Sequence, residues 1–437
     1  MLYRRLRNYI CSVAVLGLLG AGCAPGTLPK PREPVSLQLS GSEEIQLGRI
    51  LVARALQQLG GALDDPELAA YVSRTGVELV RHSDRPDLRY EFVVVNESTP
   101  NSFAFPGGTV AVTRGLLESL DSAEQLAAVL AHELGHLAAR HPLQMVQQEG
   151  LLELTEAVLA EPVLDRDFGL GAQRAGLLAS ALLNAVHSPE QEREADRYAA
   201  DLLIRAGYDP GAAVRLQEYF ARRLERGVDS PWSTGLARTH PLSPTRTAAL
   251  RAYLASPEVA VAEQTGRSDD PHAFARAFAG LRRNQPGYAL YDQARELERW
   301  GRFAEAIALY RQANAEAPGQ FPILTALGTA FLKSDDLVAG RQYLQQAIRL
   351  NGHYYRSRLG LGYLLLEEED YALAIRELEA SMALLPTLQG AYLLAGAYAG
   401  NQQIGPARTL YQAVVQADGN GRLGRAAAAR LKEMEQP

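Results

Sequence analysis

The chain has little cysteine, lysine or histidine and lacks long apolar runs beyond its N-terminus, and each shortage narrows what its 437 residues can be. The two cysteines are Cys11 and Cys23. Cys11 lies in an apolar N-terminal run, so once such a leader is cut no intramolecular disulfide can form, and the fold must rest on its core. Lysine occurs only as Lys30, Lys333 and Lys432, so the positive charge is nearly all arginine, a compositional bias to which no function attaches. The formal charge is −6 even with Arg4, Arg5 and Arg7 gathered at the N-terminus, which argues against nucleic acid as the main partner. No run of about eighteen apolar residues follows that segment, so no membrane-spanning helix is expected in the body.

Histidine is scarce, with eight residues, yet two fall one helical turn apart in Ala131-His132-Glu133-Leu134-Gly135-His136-Leu137. The stretch from Leu126 to Arg140 is free of proline and rich in Ala and Leu, which predicts a helix. At about 100° per residue His132 and His136 lie roughly 40° apart on one face, where two imidazoles can hold one zinc ion. Glu133 lies beside that face. Its carboxylate can take a proton from a water whose pKa zinc lowers from about 15.7 to roughly 7. This is the HExxH metallopeptidase arrangement, with a chance pair of surface histidines as the alternative. His141, about 180° round from His132, is expected to face away from the metal near the helix C-terminus, just before Pro142.

A catalytic zinc needs three protein ligands and an open place for water. The charged run Gln191-Glu192-Arg193-Glu194-Ala195-Asp196 offers Glu192 as the third, with Asp196 one turn on to hydrogen-bond a ligating histidine; Glu194 points elsewhere. Taken alone such a run reads as a solvated charged face.

Upstream, Glu43–Leu59 and Pro66–Val80 read as amphipathic helices, the second opened by Asp65 as N-cap and Pro66 at its first position. Leu88–Asn96 and Thr109–Thr113 are strand-like, with Asn101-Ser-Phe-Ala-Phe-Pro-Gly-Gly108 between them. Ser102, Phe103, Ala104 and Phe105 are the expected edge strand on which an extended substrate adds itself beside the zinc. A buried hairpin without substrate contact is the alternative.

The N-terminus has Arg4, Arg5 and Arg7, an apolar run from Tyr9 to Leu19, then Gly20-Ala21-Gly22-Cys23. It reads as a secretory signal, too short to span a membrane comfortably. The small residues before Cys23 resemble a bacterial lipobox, with Leu19 one place earlier than usual. An exported chain with a single remaining cysteine has a use for it as a lipid anchor. Pro25, Pro29, Pro31 and Pro34 then form a tether of about 3.1 Å per residue.

Together, Asn101–Gly108, His132-Glu-Leu-Gly-His136 and Glu192-Arg-Glu-Ala-Asp196 resemble the HtpX and CAAX prenyl protease family of gluzincin metallopeptidases, over residues 43–255. The resemblance implies one Zn2+ per chain on His132, His136 and Glu192, Glu133 as general base, and Asp196 as an acidic partner assigned to proton donation in some members. His240, before Pro241, and Arg246 match a downstream pair in that family. His240 near the open zinc position would stabilise the oxyanion or occupy the site and silence it, and Arg246 would do the first.

From Gly287 the chain repeats about every 34 residues, with Gly301, Ala306, Tyr310 and Pro318 followed by Leu327, Gly328 and Ala347, then Leu361, Gly362 and Pro386. These are tetratricopeptide repeats, closed by a capping helix from Arg422 to Glu435. The expected fold is mostly α, a metallopeptidase domain with a small sheet followed by an α-solenoid. The expected division is a signal peptide at 1–22, a lipidated Cys23 and tether at 23–42, the peptidase at 43–255, a linker with helix at 256–286, and repeats at 287–437. A peptidase with such repeats resembles an exported branch acting on misfolded or stalled envelope proteins, with the outer-membrane assembly machinery as a partner of the repeats. Its place would be the periplasmic face of the outer membrane, or the soluble periplasm without the lipid. The rival reading is a lipid-anchored scaffold or chaperone with a largely silent zinc site.

Overall fold

A computed structural model describes residues 39–85, 87–148, 151–160, 170–225, 234–260 and 271–435. The signal segment, Cys23 and most of the tether lie outside the described residues.

The first two helices start where the sequence supplies a cap. Ser40 and Glu43 form a reciprocal capping box on α1 (Gly41–Gln58), and Asp65 with Pro66 opens α2 (Pro66–Val80) as expected. Three strands follow, β1 (Glu91–Val95), β2 (Ser102–Phe105) and β3 (Thr109–Thr113), in the order β1-β3-β2. The central β3 runs parallel to β1, with Val93 opposite Ala111, and antiparallel to β2, with Phe103 opposite Ala111. All five residues of β3 are buried because both faces of the sheet are covered. Val110 and Val112 share a core with Leu126, Leu130 and Leu134 of α3 (Ala123–Ala138), while Ala111 belongs to a second core with Leu47, Leu51 and Ala55 of α1.

After α3, Arg140 takes a left-handed backbone (φ 56°) and α4 (His141–Gln148) sets off at once in a new direction. Then come α5 (Leu170–Asn184), α6 (Pro189–Arg205), α7 (Gly211–Leu224), the single turn α8 (Leu236–Thr239) and α9 (Pro244–Leu254).

The stretch expected as a linker with helix is helical where it is described. Phe274, Phe278 and Leu281 follow an i, i+4, i+7 stripe along α10 (Pro271–Ala277) and the start of α11 (Ala279–Arg299), and they are buried in the same core as Leu68 and Val72. Helix α11 runs unbroken through Pro286 and across the boundary expected at 287. The solenoid that follows pairs α11 with α12 (Phe303–Glu316), α13 (Phe321–Lys333) with α14 (Leu337–Leu350), α15 (Tyr355–Glu367) with α16 (Tyr371–Leu384) and α17 (Leu388–Gly400) with α18 (Ile404–Asp418). The cap is α19 (Arg422–Glu435). Small residues sit where paired helices touch: a Cβ on Gly328 would lie 2.8 Å from Leu344.

The solenoid is bound to the first domain through buried polar contacts. Arg54 of α1 donates to the Ala383 and Leu384 carbonyls at the end of α16, where a cation also complements the helix dipole. Gln57 donates to His353 O and accepts from Tyr355 N. Asn96 donates to Tyr288 Oη at 2.7 Å, Tyr288 donates in turn to Gln320, and the Arg114 guanidinium lies 3.9 Å over the Tyr288 ring.

Candidate metal centre

Two helices build the site. Ser122 caps α3, which carries His132, Glu133 and His136, and a capping box of Ser188 and Gln191 starts α6, which carries Glu192 and Asp196. They cross at Gly135, where an added Cβ would lie 2.8 Å from the Ala195 carbonyl oxygen and 2.9 Å from its Cα. Only glycine lets the two backbones approach this far, and that approach brings Glu192 to the histidines.

The ligating atoms converge. His132 Nε2 and His136 Nε2 are 3.1 Å apart, and Glu192 oxygens lie 3.4 Å from the second and 3.6 Å from the first. Asp196 is 3.1 Å from His132 Nδ1, which places the ring proton there and leaves Nε2 a lone pair. His136 Nδ1 meets His141 Nδ1 at 2.9 Å, and with His136 as donor its Nε2 is likewise a lone pair. Two imidazole lone pairs thus face the Glu192 carboxylate, one nearer its Oε1 and the other nearer its Oε2, without a proton between them. Two imidazole nitrogens and a carboxylate at this spacing are a donor set that fits zinc.

Around these ligands lies a ring of supporting groups. Arg246 grips Asp196 through Nε (2.6 Å) and Nη2 (2.7 Å), while its Nη1 abuts Glu192. Burial works against the Asp196 carboxylate, but Arg246 and His132 outweigh it and hold its pKa at about 2. Glu192 is likewise held well below the carboxylate range, since Arg246, His240 and His136 overcome the effect of burial.

Glu133 is buried, with Oε1 accepting from Ser102 Oγ at 2.8 Å and Oε2 without a hydrogen-bond partner among the described residues. Ser102 begins β2, one of the sheet's two edge strands, so the strand expected to receive substrate also holds Glu133. Ser102 and Phe105 are buried, whereas Phe103 and Ala104 are half-buried.

His240 lies just after α8. Its Nδ1 is 2.9 Å from Glu192 Oε1, and it completes with His132, His136 and Glu192 a group of four whose ligand atoms all lie within 4.8 Å. Burial is the largest influence on its imidazole and opposes charge, yet Glu192 and Glu133 together raise its pKa above the ordinary value. The segment is pinned to the sheet side by Leu236 N donating to Pro100 O and Thr239 Oγ1 donating to Asn101 Oδ1.

Two histidines join the site that the sequence reading left out. His141, expected to face away, turns back because Arg140 breaks the helix, and its ring is buried between His136 and the exposed Glu194, 3.4 Å from its Nε2. His187, for which no spacing gave a signal, stacks on His136 with ring centroids 3.8 Å apart and lies 4.8 Å from His240. Burial pushes the His187 and His136 pKa values far down. Beside His132 and His240 opens a cavity of about 50 Å³ walled by Leu116, Val129, Phe220 and Leu242.

The chain is similar to known peptidases. Over 266 residues it is 28% identical to the beta-barrel assembly-enhancing protease of Escherichia coli (strain K12), a match spanning 57% of this chain and 53% of that one. The chain thus aligns with about half the length of that relative. The protein of the same name from Yersinia pestis is 27% identical over 373 residues, 78% of this chain and 76% of that one. The mitochondrial metalloendopeptidase OMA1 of Schizosaccharomyces pombe is 34% identical over 201 residues, 45% of this chain and 55% of that one. Residues 66–254 match the model of peptidase family M48. That stretch contains every residue of the metal centre from Ser102 to Arg246, and it is a peptidase family M48 domain.

Proposed function

We propose that the chain is a zinc-dependent endopeptidase of the bacterial envelope that cleaves misfolded or stalled envelope proteins. The observation carrying this reading is the convergence of two imidazole lone pairs and the Glu192 carboxylate beside Glu133 Oε2, a buried oxygen with no hydrogen-bond partner among the described residues. His132, His136 and Glu192 would hold the metal. Zinc there supplies a Lewis acid and brings a water towards ionisation near neutral pH.

The chain's own groups do the rest. Glu133 Oε2 takes the proton from the attacking water, while Ser102 Oγ fixes the carboxylate through its other oxygen. An extended substrate pairs with β2 over Ser102–Phe105, its scissile carbonyl held above the site. Asp196 and Arg246 face ligands and each other, so they act as positioning residues that fix the His132 ring and the Glu192 carboxylate. The names of the relatives, one a beta-barrel assembly-enhancing protease and one a metalloendopeptidase, support endopeptidase action on envelope proteins, with the repeats as the capturing part and outer-membrane assembly factors as partners. Among the described residues no helix is long and apolar enough to cross a membrane, and lipidation of Cys23 would provide the anchor. Mass spectrometry of the mature N-terminus tests this: an acylated Cys23 is expected, and cleavage elsewhere would rule it out.

His240 favours a second reading. A fourth protein group among the ligands is the mark of a closed zinc site, so the same chain in this state would bind without cutting.

The test uses purified protein and an unfolded protein substrate. Glu133→Gln should keep one zinc per chain and lose cleavage by at least about 10²-fold, whereas the double change His132→Ala, His136→Ala should lose the zinc. Full zinc content in the double variant would overturn the ligand set, and undiminished cleavage by Glu133→Gln would overturn the base.

A further inference from the structure

The cavity of about 50 Å³ beside His132 and His240 has one wall to which the cleavage chemistry gives no task. Along α7, Ala213, Leu216, Gln217 and Phe220 recur at i, i+3, i+4 and i+7, so they share the helix face turned to the core, and all four line the cavity. Three of them are apolar. Gln217 is the exception, a buried amide in an otherwise apolar stripe, and its Oε1 has no hydrogen-bond partner among the described residues.

The other polar groups of the wall are engaged. Ser102 donates to Glu133, His132 faces Asp196, His240 is bonded to Glu192, and Arg246 grips Asp196. An amide oxygen taken out of water without a partner destabilises a fold, so an apolar residue at 217 would make this one more stable. Such an oxygen gains its hydrogen bond only when something enters the cavity. The volume bounds what that is: about 50 Å³ is several times the 10–15 Å³ or so that one water needs, room for a few non-hydrogen atoms and too little for an aromatic ring.

We propose that this cavity receives a side chain bordering the scissile bond and that Gln217 selects threonine or serine there. The inference rests on the endopeptidase reading and adds to it the class of bond that is cut. Ser102, which begins β2, lines the same cavity, so an extended chain lying on β2 with its scissile carbonyl at the metal centre turns a neighbouring side chain into it. Leu216 and Phe220 then take the methyl of a threonine while its hydroxyl meets the amide, and because a hydroxyl both donates and accepts it answers either end of that amide. Threonine is also a strand former, so the pocket favours segments that pair readily with an edge strand.

The test uses the full chain with zinc and has two readouts. Cuts made in an unfolded protein, and absent with Glu133→Gln, are mapped by mass spectrometry, and peptides spanning the most frequent cut are made with Thr, Val or Phe at each of the two positions that border it. At one of them threonine is expected to exceed valine in kcat/KM by about tenfold, the effect of one hydrogen bond to a buried neutral group, with phenylalanine lowest. Gln217→Leu, close in size, should reverse the order of threonine and valine. The second readout needs no cleavage: with Oε1 unpartnered at rest, Gln217→Leu should raise the thermal midpoint by about 1–3 °C. A lowered midpoint would mean that the amide is bonded within the fold and would overturn the proposal. Equal rates for threonine and valine in the parent at both positions would overturn it as well, while cuts that depend on Glu133 would leave the endopeptidase reading standing.

Discussion

Removing the His240 imidazole separates two chemistries that its position allows. If the ring closes the metal centre, His240→Ala should raise kcat/KM on a short peptide, by about tenfold where the open form is the minor one. If it donates to the developing oxyanion, the same change should lower kcat by about 10²–10³. Its hydrogen bond to Glu192 and its place among the ligands favour the first outcome, and a fall in kcat would reverse that assignment. The same residues show what could be read in advance. His132, Glu133 and His136 were legible because helical period sorts them onto faces, and Glu192 and Asp196 only in company with that motif, since their run alone reads as a solvated face. His141 was not, because its return to His136 hangs on the left-handed backbone at Arg140, a non-glycine residue that carries no sequence signal for it. His187 reaches the site only through tertiary packing.

At the level of elements, the crossing of α3 and α6 decides whether a metal is held. Gly135→Ala must move one backbone, because the new methyl would meet Ala195 main-chain atoms at 2.8 and 2.9 Å. We expect a loss of about 1–3 kcal/mol in stability together with weaker zinc binding, measured by competition with a chelator. Unaltered zinc affinity would show that Glu192 is not delivered by this crossing. The start of α2 was legible because the capping chemistry of Asp65-Pro66 is explicit. The stretch 256–286 was read as a linker with helix, without the place that its helix takes in the peptidase core. Its apolar stripe of Phe274, Phe278 and Leu281 is shared between two short helical pieces, too little periodic pattern in either piece to announce a buried helix.

For the whole molecule, the shared core alters what can be removed. Deleting the chain from Gly287 onwards would cut α11 in its middle and strip Tyr288 from Asn96 and Arg114, so capture by the repeats is better tested by substitutions inside the solenoid. The two parts should also unfold together. Calorimetry is expected to show one cooperative transition for the full chain, and Tyr288→Ala, which empties the junction between Arg114, Asn96 and Gln320, should lower the midpoint and broaden or split it. Two resolved transitions in the unaltered protein would mean that the junction contributes little.

Helix α11 spans 21 residues, a rod of about 32 Å. One end is set in the peptidase core at Leu281, and further along, at Arg295, it is the first helix of the repeats. The helix is unbroken between these two points, so the first coil of the repeats has no swivel against the peptidase core, and a force applied to the repeats is borne by the body of the molecule.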